Sequence, residues 1–398
     1  MRIAFILIGN SRRSGYLDGH TLRYGGSGGS GTDTSTILVA EQLAAAGHEV
    51  VVTSDKLEPA LEEEHAKAGR HFDSGRVVNG VRYCDIDFTG VENRDFDVLV
   101  NSLWFQDYDK LPITVSKAVI YWCHMQWIYG HHELVAYAKS NNLALGFVHI
   151  SEWEKRMNAN IAQTVSELCG TQTATIPNPE PDDVIEQVLA ENIVRKKHKF
   201  IFHAAWPRGG NVAIEAVRRL PYADKEFHAF DYLMAIHDHD DSFFHMHDGV
   251  DKLTLYRHLA ESEYFVYPLY TPYQDVHKDT FSCVVADAIA LGCTPVTYPL
   301  GALPDNFGGY CHWVDFPAGV DPEKMQAEPL SKDEPGVFKS EEAVNNLVKA
   351  VEYLEQNPEL KDKIKLTGKQ FILDKYSAKT VGAMWCEFIM QLTEETAQ

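Results

Sequence analysis

The sequence has little positive charge. It contains 36 lysine and arginine residues against 57 aspartate and glutamate residues, a formal net charge of −21, and no long basic run. A chain of this charge repels nucleic-acid phosphates and an anionic membrane surface unless cations are concentrated locally. Nucleic acid is therefore not an expected partner, and membrane contact is left open only through a local patch. An anionic ligand must be held by a few side chains, backbone N–H groups and helix N-termini.

Paired cysteines and long apolar runs are also missing. The seven cysteines are scattered and include no C-x-x-C pair, which is typical of reduced thiols in a cytosol and not of a disulfide framework. The apolar run from Ile3 to Ile8 is too short for a signal-peptide core, and no stretch of about 18 apolar residues is present. We expect a cytoplasmic protein without a transmembrane segment.

The composition is that of a globular protein. With 398 residues, 45% of them apolar and 23% charged, the chain is long enough for two hydrophobic cores of about 200 residues each. Short apolar runs alternate with helical patterns in the first half, which indicates a parallel sheet covered on both faces. Strands are predicted there at 2–9, 49–54, 97–102, 118–124 and 143–151, with a helix over about 34–46.

The same pattern restarts after residues 174–183, a stretch with three prolines. Strands are predicted at 199–206, 226–230, 264–268 and 294–299, helices from about Asn211 and Cys283, and three mostly helical segments from about Ser340. The predicted fold class is therefore α/β, with two Rossmann-like, doubly wound domains and a boundary near 181–196.

Residues 24–33, YGGSGGSGTD, allow three interpretations: a dinucleotide loop, a phosphate-binding loop or a flexible connection. A dinucleotide fingerprint must begin where the first strand ends, yet about fifteen residues separate Gly9 from these glycines. Thr32 or Asp33 is expected to cap the following helix, and Gly47 to end it. We favour a loop that contacts a phosphate or a sugar, with a structural glycine turn as the alternative.

The most informative stretch is residues 278–309, KDTFSCVVADAIALGCTPVTYPLGALPDNFGG. Ser282 is expected to cap a helix that ends before Gly292. Asp279 then precedes the helix, and Asp287 lies roughly 7 Å farther along its axis. The two carboxylates suit two hydroxyl-bearing ends of one extended ligand, and the N–H groups of Cys283 and Val284 suit its phosphate.

This stretch resembles the signature of the retaining glycosyltransferases of family 4, E-x-F-G-x-x-x-x-E-A-x-A-x-G-x-P-V. It reads DTFSCVVADAIALG followed by TPV, and GALP at 301–304 is similar to the G-G-x-P turn of the family. Five further segments resemble family segments in the same order: GGSGTDTSTILVAEQLAAAGHEVVV, YWCHMQ, HISEWEKRMN, TATIPNPEPDD and HAAWPRGGNVAIEAVRRL.

The resemblance implies the GT-B fold, in which two Rossmann-like domains face each other across a cleft and the C-terminal helix crosses back to the first domain. The implied domains are 1–185 with about 378–398 on the acceptor side, and 186–377 on the donor side. The co-substrate would be a nucleotide diphosphate sugar, and the acceptor a carbohydrate or another hydroxyl compound. Neither a metal nor a separate cofactor is expected.

The resemblance also implies residue roles. The donor-binding residues it implies are Gly28, Gly29, Arg208, Asp279, Phe281, Ser282, Cys283, Val284 and Asp287. Asp287 would bind the ribose hydroxyls, Asp279 and the N–H groups of 281–284 the transferred sugar, and Arg208 the diphosphate. The catalytic residues it implies are His124, Asp279 and Arg208. His124 would line the reaction centre, and no enzymic nucleophile is expected.

The sequence departs from the family pattern at three points. Both family glutamates are aspartates here, the glycine after Phe281 is Ser282, and only one of the two usual basic residues is placed, as Arg208. Lys278, Arg12 and Arg13 are candidates for the second basic residue. These changes predict either an unusual donor sugar or weakened catalysis.

Ordinary structural roles stay open for the same residues. His124 fits a core histidine, Arg208 a surface arginine, and the two aspartates capping or solvent-facing acids. Residues 237–248, HDHDDSFFHMHD, offer four histidines and four aspartates. H-x-H on a strand would point both rings to one side, but no closed ligand set is evident nearby. A polar loop without a metal is therefore expected.

Three functions remain open from the sequence. The favoured one is a metal-independent glycosyltransferase. A nucleotide-sugar epimerase or phosphorylase on the same fold would turn over the donor without a carbohydrate acceptor. A decayed sugar-nucleotide-binding protein would bind the donor without transferring the sugar.

Overall fold

The computed structural model describes residues 1–7, 17–25, 29–54, 63, 74–102, 105–125, 131–160, 171–230, 241–247, 249–269, 278–321, 323 and 341–394. The chain divides into two compact units. The first comprises residues 1–179 and 376–398, and the second comprises residues 180–375.

The first unit is built on an eight-stranded sheet. Its strands are β1 (Arg2–Leu7), β2 (Glu49–Ser54), β3 (Arg76–Val78), β4 (Val81–Asp85), β5 (Asp95–Asn101), β6 (Thr114–Cys123), β7 (Ala144–His149) and β8 (Gln172–Thr175). The order is β3-β4-β2-β1-β5-β6-β7-β8, and only the β3–β4 pair is antiparallel. Residues 3–7 of β1 are all buried, as expected of a central parallel strand covered on both faces.

Among the described residues, four helices of this unit precede the second unit: α1 (Gly19–Tyr24), α2 (Gly31–Ala45), α3 (His131–Ser140) and α4 (Glu152–Met157). Ser30, not Thr32 or Asp33, caps α2. Its hydroxyl accepts from the Asp33 N–H at 3.2 Å, and the Asp33 carboxylate accepts from the Ser30 N–H at 2.8 Å, a reciprocal capping box. Gly47 follows the helix at φ +90°, which confirms its predicted role as the helix stop.

The second unit is built on a six-stranded parallel sheet. Its strands are β9 (Lys199–His203), β10 (Glu226–Phe230), β11 (Phe244–His247), β12 (Tyr264–Tyr267), β13 (Thr294–Thr297) and β14 (His312–Trp313). The order is β11-β10-β9-β12-β13-β14, the doubly wound order in which the direction of winding reverses between β9 and β12. Ligands of such sheets bind outside the carboxyl ends of the strands at this reversal.

In the described part of this unit, seven helices accompany the sheet: α5 (Asp182–Ala190), α6 (Gly210–Arg219), α7 (Lys252–Glu261), α8 (Cys283–Ala290), α9 (Leu303–Phe307), α10 (Glu341–Gln356) and α11 (Glu359–Tyr376). Helix α5 lies within the stretch expected to link the domains. The second compact unit begins at Glu180, which is fully buried and interacts with Asp287, Lys252 and Tyr256 of the same unit.

The last helix, α12 (Ala378–Glu394), belongs to the first unit. Its fully buried Trp385 lies edge-on to Trp122 of β6 at 4.6 Å and to Phe5 of β1 at 6.3 Å. Gly382 approaches α2 so closely that a Cβ would lie 2.3 Å from the Cβ of Gln42. These contacts confirm the predicted return of the C-terminal helix to the first domain.

Some elements differ from the sequence predictions. Residues 244–247 form strand β11 and not a loop; the four residues pair in parallel with β10 through their backbone, so their polar side chains do not prevent a strand. His237 and His239 lie outside the described residues. Six of the seven cysteines are described, and all six are free thiols, as predicted. Within the described part of the chain, no helix has both the length and the apolar character to cross a membrane.

Candidate functional site in the second unit

Arg208 and Asp279 lie beyond the carboxyl ends of β9 and β12, the two strands between which the winding reverses. Arg208 closes the single 3-10 turn Trp206–Arg208, and Asp279 precedes α8. The topology of the second unit therefore places both sequence candidates where an α/β sheet of this order binds its ligand.

A glycine pair allows the two chain segments to approach each other. Gly209 has φ +115°, and a Cβ there would lie 2.8 Å from the Cβ of Pro268, the residue after β12. A Cβ at Gly210 would lie 2.3 Å from the Trp206 ring. A side chain at Gly209 would clash with the end of β12, and one at Gly210 would clash with the Trp206 ring of the turn itself.

Arg208, Tyr267 and Asp279 form one hydrogen-bonded group. Arg208 Nη1 donates to Asp279 Oδ1 at 2.7 Å and to the Tyr267 hydroxyl at 3.0 Å, and this hydroxyl donates to Asp279 Oδ2 at 2.9 Å. Burial, together with the Asp279 charge, raises the pKa of Tyr267 well above its usual value, so the phenol stays neutral. The Asp279 side chain is 6% exposed and that of Arg208 is 32% exposed, so the arginine forms the accessible side of the group.

The backbone of Asp279 is held by the predicted GALP turn. Asp279 O accepts from the Ala302 N–H at 2.8 Å. Gly301 has φ +62°, and a Cβ there would lie 2.4 Å from Asp279 O. Glycine at 301 is therefore required both by its backbone conformation and by the close approach to Asp279.

Residues 281–284 form the entry to α8. The rings of Phe281 and Phe307 pack at 5.7 Å. Ser282 O accepts from the N–H groups of Val285 and Ala286 at 3.2 Å, and the half-buried Cys283 and Val284 occupy the first helical positions. This end of α8 presents the positive end of the helix dipole.

Ser282 is the N-cap residue of α8, as predicted, but its side chain does not act as the cap. Its backbone is left-handed, with φ +79° and ψ +75°, and its hydroxyl makes no cap hydrogen bond. The buried Oγ has no hydrogen-bond partner among the described residues. The residue therefore combines a backbone conformation that favours glycine with an unsatisfied buried hydroxyl.

Replacing Ser282 by glycine is expected to raise the free energy of unfolding of the ligand-free protein by about 1 kcal/mol, since it relieves the left-handed strain and removes the unpaired hydroxyl. Denaturant unfolding measures the change. Ser151→Gly is the matched control of opposite sign: Ser151 caps α4 from an extended backbone, and its Oγ accepts from the Glu154 N–H at 3.0 Å. A loss of stability in Ser282→Gly would contradict the inferred backbone strain at Ser282.

Asp287 lies in a buried polar cluster beside α7. It is 0% exposed; its Oδ2 lies 2.9 Å from Lys252 Nζ, and its Oδ1 accepts from the Tyr256 hydroxyl. Burial alone would raise the pKa of Asp287, but Lys252 and the hydrogen bonds around it lower the pKa below its usual value. Asp287 is therefore an ionised carboxylate whose two oxygens already have partners.

Glu180 is the second acid of this cluster, and it is fully buried. Burial raises the pKa of Glu180 well above its usual value, and the Asp287 charge raises it further, against the opposing effect of Lys252. The cluster thus contains one carboxylate, one carboxylic acid and one ammonium group. Two neighbouring acids adopt different protonation states because two adjacent negative charges would repel each other.

Glu180→Gln is expected to raise the free energy of unfolding at neutral pH and to leave it unchanged near about pH 4. The folded state keeps the proton of Glu180 above the pH at which the unfolded chain releases it, so its stabilising contribution is complete below about pH 4.3 and is lost as pH rises. Glutamine mimics the protonated acid at every pH. The difference in free energy of unfolding between the variant and the wild type should grow by up to about 1.4 kcal/mol per pH unit. Urea unfolding between about pH 4 and neutral pH measures it.

The exposed Glu186 on α5 provides the control for this pH series. Glu186→Gln should change the stability little and with no growth above about pH 4.3. Equal stabilities of Glu180→Gln and the wild type at every pH would contradict a protonated Glu180.

The first unit contains the remaining candidates. His124 directly follows β6, its ring lies 4.5 Å from the Trp122 ring, and burial lowers its pKa to about 3, so the imidazole is neutral at neutral pH. Gly29 precedes the Ser30 cap of α2, and a Cβ there would lie 2.7 Å from Leu17 Cδ1. Gly28 lies outside the described residues. The roles of these three toward a donor stay predictions.

Sequence reasoning missed four residues of the second unit: Glu180, Lys252, Tyr256 and Tyr267. Among the candidates for a second basic residue, Lys278 is buried, and Arg12 and Arg13 lie outside the described residues. The basic residue that pairs with Asp287 is Lys252, 35 positions before it in the chain. No local spacing could have indicated this pair, because α7 and α8 meet only in the folded unit.

The first unit also contains a group with metal-ligand chemistry, Cys123, His149 and Glu154, whose ligand atoms lie within 4.8 Å of one another. His149 Nδ1 lies 2.8 Å from Glu154 Oε2, and Asn158 donates to the other oxygen. Burial raises the pKa of the Cys123 thiol well above its usual value, and both Glu154 oxygens already have protein partners. We assign this group to the packing of the first unit.

No protein-family profile and no curated protein matches the chain, whereas solved structures match nearly all of it. Sucrose-phosphate synthase from Thermosynechococcus elongatus is 13% identical, with a TM-score of 0.63 over 98% of both chains. The pneumococcal O-GlcNAc transferase GtfA, in complex with UDP and GlcNAc, is 10% identical, with a TM-score of 0.60 over 98% of this chain and 99% of GtfA.

A third structure, HepE of Anabaena in complex with UDP-glucose, is 12% identical, with a TM-score of 0.55 over 98% of this chain and all of HepE (100%). At such identities a structural match establishes the fold and not the reaction. The chain therefore has the GT-B fold of glycosyltransferases, as its sequence resemblance predicted.

Proposed function

We propose that the protein is a glycosyltransferase that moves a sugar from a nucleotide diphosphate sugar to a hydroxyl group of a carbohydrate or another acceptor. The observation that supports this most directly is the Arg208–Tyr267–Asp279 group at the winding reversal of the second unit. It combines a partly exposed cation with an oriented carboxylate, and the N-terminus of α8 follows Asp279 in the chain. Diphosphate and sugar hydroxyls are the partners that such groups recognise.

The proposed chemistry needs no enzymic nucleophile and no metal in the reaction. Departure of the sugar leaves additional negative charge on the diphosphate, which Arg208 and the dipole of α8 would stabilise as it develops. Asp279 would accept a hydrogen bond from a hydroxyl of the transferred sugar. Attack by the acceptor hydroxyl on the face from which the phosphate leaves would give retention of configuration, and the leaving phosphate oxygen would take the proton of that hydroxyl.

Asp287 is proposed to bind the ribose hydroxyls, as the resemblance implies. Because Lys252 and Tyr256 occupy its two oxygens, one of them must share its oxygen with the ribose on binding. The variant Asp287→Asn distinguishes direct contact between Asp287 and the donor from an indirect role in supporting the site. The substitution also leaves Lys252 buried without its anion, so some loss of stability is expected in either case. Weaker donor binding by the variant under conditions in which it is fully folded indicates direct contact, whereas donor binding that is lost only as the variant unfolds indicates that Asp287 supports the site through its neighbours.

The experiment that tests the proposal is a calorimetric titration of the protein, without added metal, against UDP-, GDP-, ADP- and dTDP-sugars. We expect one nucleotide class to bind and Arg208→Ala to weaken that binding. Acceptor-dependent transfer is then assayed with the selected donor, and NMR of the product reads the anomeric configuration. Failure of all four classes to bind would reject the proposed site, and binding without transfer would identify a sugar-nucleotide-binding protein.

His124→Ala is expected to reduce the transfer rate by about 10²-fold while changing donor affinity little, as expected for a group beside the reaction centre. Single-turnover transfer and calorimetry measure the two effects separately. His132→Ala, on the exposed start of α3 in the same unit, is the control. Equal losses of affinity and rate in His124→Ala would contradict the assigned role.

A further inference from the structure

Three histidines from separate elements meet at the edge of the second unit's sheet. His228 lies on β10, His247 on the edge strand β11, and His258 on α7. One ring nitrogen from each lies within 4.8 Å of the other two, and His228 Nδ1 lies 2.9 Å from His247 Nε2. These residues, which we call the histidine cluster, are not part of the Arg208–Asp279 group or of the cluster around Asp287.

Strand register and helix packing explain the convergence. The parallel β10–β11 register pairs His228 with His245 and Phe230 with His247, so alternate residues place these four rings on one face of the sheet. His258 meets this face from α7, with its ring 4.8 Å from that of His247 and 5.0 Å from that of Phe230. The fold thus brings together imidazoles that the sequence separates.

A carboxylate orients the most buried of the three rings. Glu226 Oε2 lies 3.3 Å from His228 Nε2, so Nε2 carries the proton and Nδ1, which faces His247, keeps its lone pair. A carboxylate that holds the far nitrogen of a histidine is the usual arrangement behind a metal-ligating imidazole, because it fixes the tautomer and raises the basicity of the ligand.

The charges around the histidine cluster are balanced. Lys199 pairs with Glu261, and Lys196 lies between Glu261 at 3.1 Å and Glu226 at 3.5 Å. Burial, followed by the Lys199 charge, lowers the pKa values of both His228 and His258. Neutral imidazole is the form that binds metals.

We propose that His228, His247 and His258 bind one divalent transition-metal ion of the Zn²⁺ type. Imidazole ligands suit Zn²⁺ and its neighbours in the first transition row, and three histidines with a water molecule form a common tetrahedral set. Tetrahedral Zn–N bonds of about 2.1 Å place ligand nitrogens about 3.4 Å apart, within the range that small side-chain rotations of this group provide. The ion ties the edge strand β11 to α7 and takes no part in sugar transfer, so the proposal does not depend on the proposed function.

The test is metal binding by the full-length protein without an affinity tag, since a histidine tag would itself bind the ion. After exposure to Zn²⁺ and extensive dialysis, elemental analysis should find one Zn²⁺ per chain. Co²⁺ in its place should give the intense visible d–d absorption of a tetrahedral site with nitrogen ligands. Zn²⁺ should also raise the thermal unfolding midpoint, and EDTA should reverse the rise.

Variants assign the ion to these residues. His258→Gln should abolish stoichiometric binding and the Co²⁺ spectrum, and Glu226→Gln should weaken binding by about 10–100-fold. His245→Gln, at an exposed ring 4.6 Å from His228 but outside the histidine cluster, is the matched control and should bind as the wild type does. Circular dichroism confirms that each variant is folded.

Two outcomes would overturn the proposal. One is a wild-type protein that retains no Zn²⁺ and shows no tetrahedral Co²⁺ spectrum, in which case the three rings are a stacked packing cluster. The other is binding that survives in His258→Gln but disappears in His237→Gln/His239→Gln, which would assign the ion to the HDHD segment.

Discussion

Arg208→Ala is expected to lower kcat/KM for sugar transfer by about 10²–10³-fold, the typical effect of removing one donor that stabilises charge developing in a transition state. In the structure Arg208 Nη1 bonds to both Asp279 and Tyr267. The substitution therefore removes the cation proposed to face the diphosphate and also releases the carboxylate proposed to hold the sugar. The measurement is steady-state kinetics with the donor selected by the titration.

Two further variants make this result specific. Arg218→Ala removes an arginine of the same unit that pairs with Asp241 at 2.6 Å on the surface, and it should leave kcat/KM unchanged. Arg208→Lys keeps the charge but loses the planar fork of donors, so it should recover only part of the activity. An Arg208→Ala enzyme as active as the wild type would remove the main support for the proposed site.

Lys252→Met is expected to destabilise the second unit by about 3–5 kcal/mol, because it leaves the carboxylate of Asp287 buried without its cation. Asp287 is fully buried, and Glu180 beside it cannot relieve the charge except by sharing its proton. Urea unfolding monitored in the second unit gives the change. The exposed Lys349 on α10 is the control, and Lys349→Met should change the stability little.

The stability of Lys252→Met should change with pH in the opposite direction from the stabilising contribution of the Lys252–Asp287 ion pair in the wild type. In the wild type the pKa of Asp287 lies below its usual value, so the pair stabilises the fold above about pH 4 and its contribution is lost as pH falls. Without Lys252, burial dominates and raises the pKa of Asp287, so acidification should restore stability to Lys252→Met.

A second substitution at Asp287 completes the test of the ion pair. Lys252→Met/Asp287→Leu should recover most of the loss, since a buried ion pair and a packed apolar pair are often of similar stability. A single Lys252→Met variant as stable as the wild type would show that Asp287 is not held as a buried carboxylate.

Several features could be predicted from the sequence because their causes are local. The sequence predicted strands β2 and β10 and the start of α8 at the residues where they occur. Their signals, continuous apolar runs and helix-ending residues, consist of residues that are neighbours in the sequence. Strand β11 and helix α5 were missed: β11 is short and polar, and α5 directly follows a stretch with three prolines that resembles a linker. Local patterns carry little information about elements that form through pairing or packing with distant segments.

The same distinction holds for the candidate site. The sequence by itself determined the two doubly wound sheets, the helix stop at Gly47, and the candidates Arg208 and Asp279. Only the tertiary structure decided that these two form one group with Tyr267, that Asp287 pairs with Lys252 beside a protonated Glu180, and that three histidines meet on one face. The physical reason is that pairing and pKa depend on burial and on charges from segments far apart in the chain, which no local spacing records.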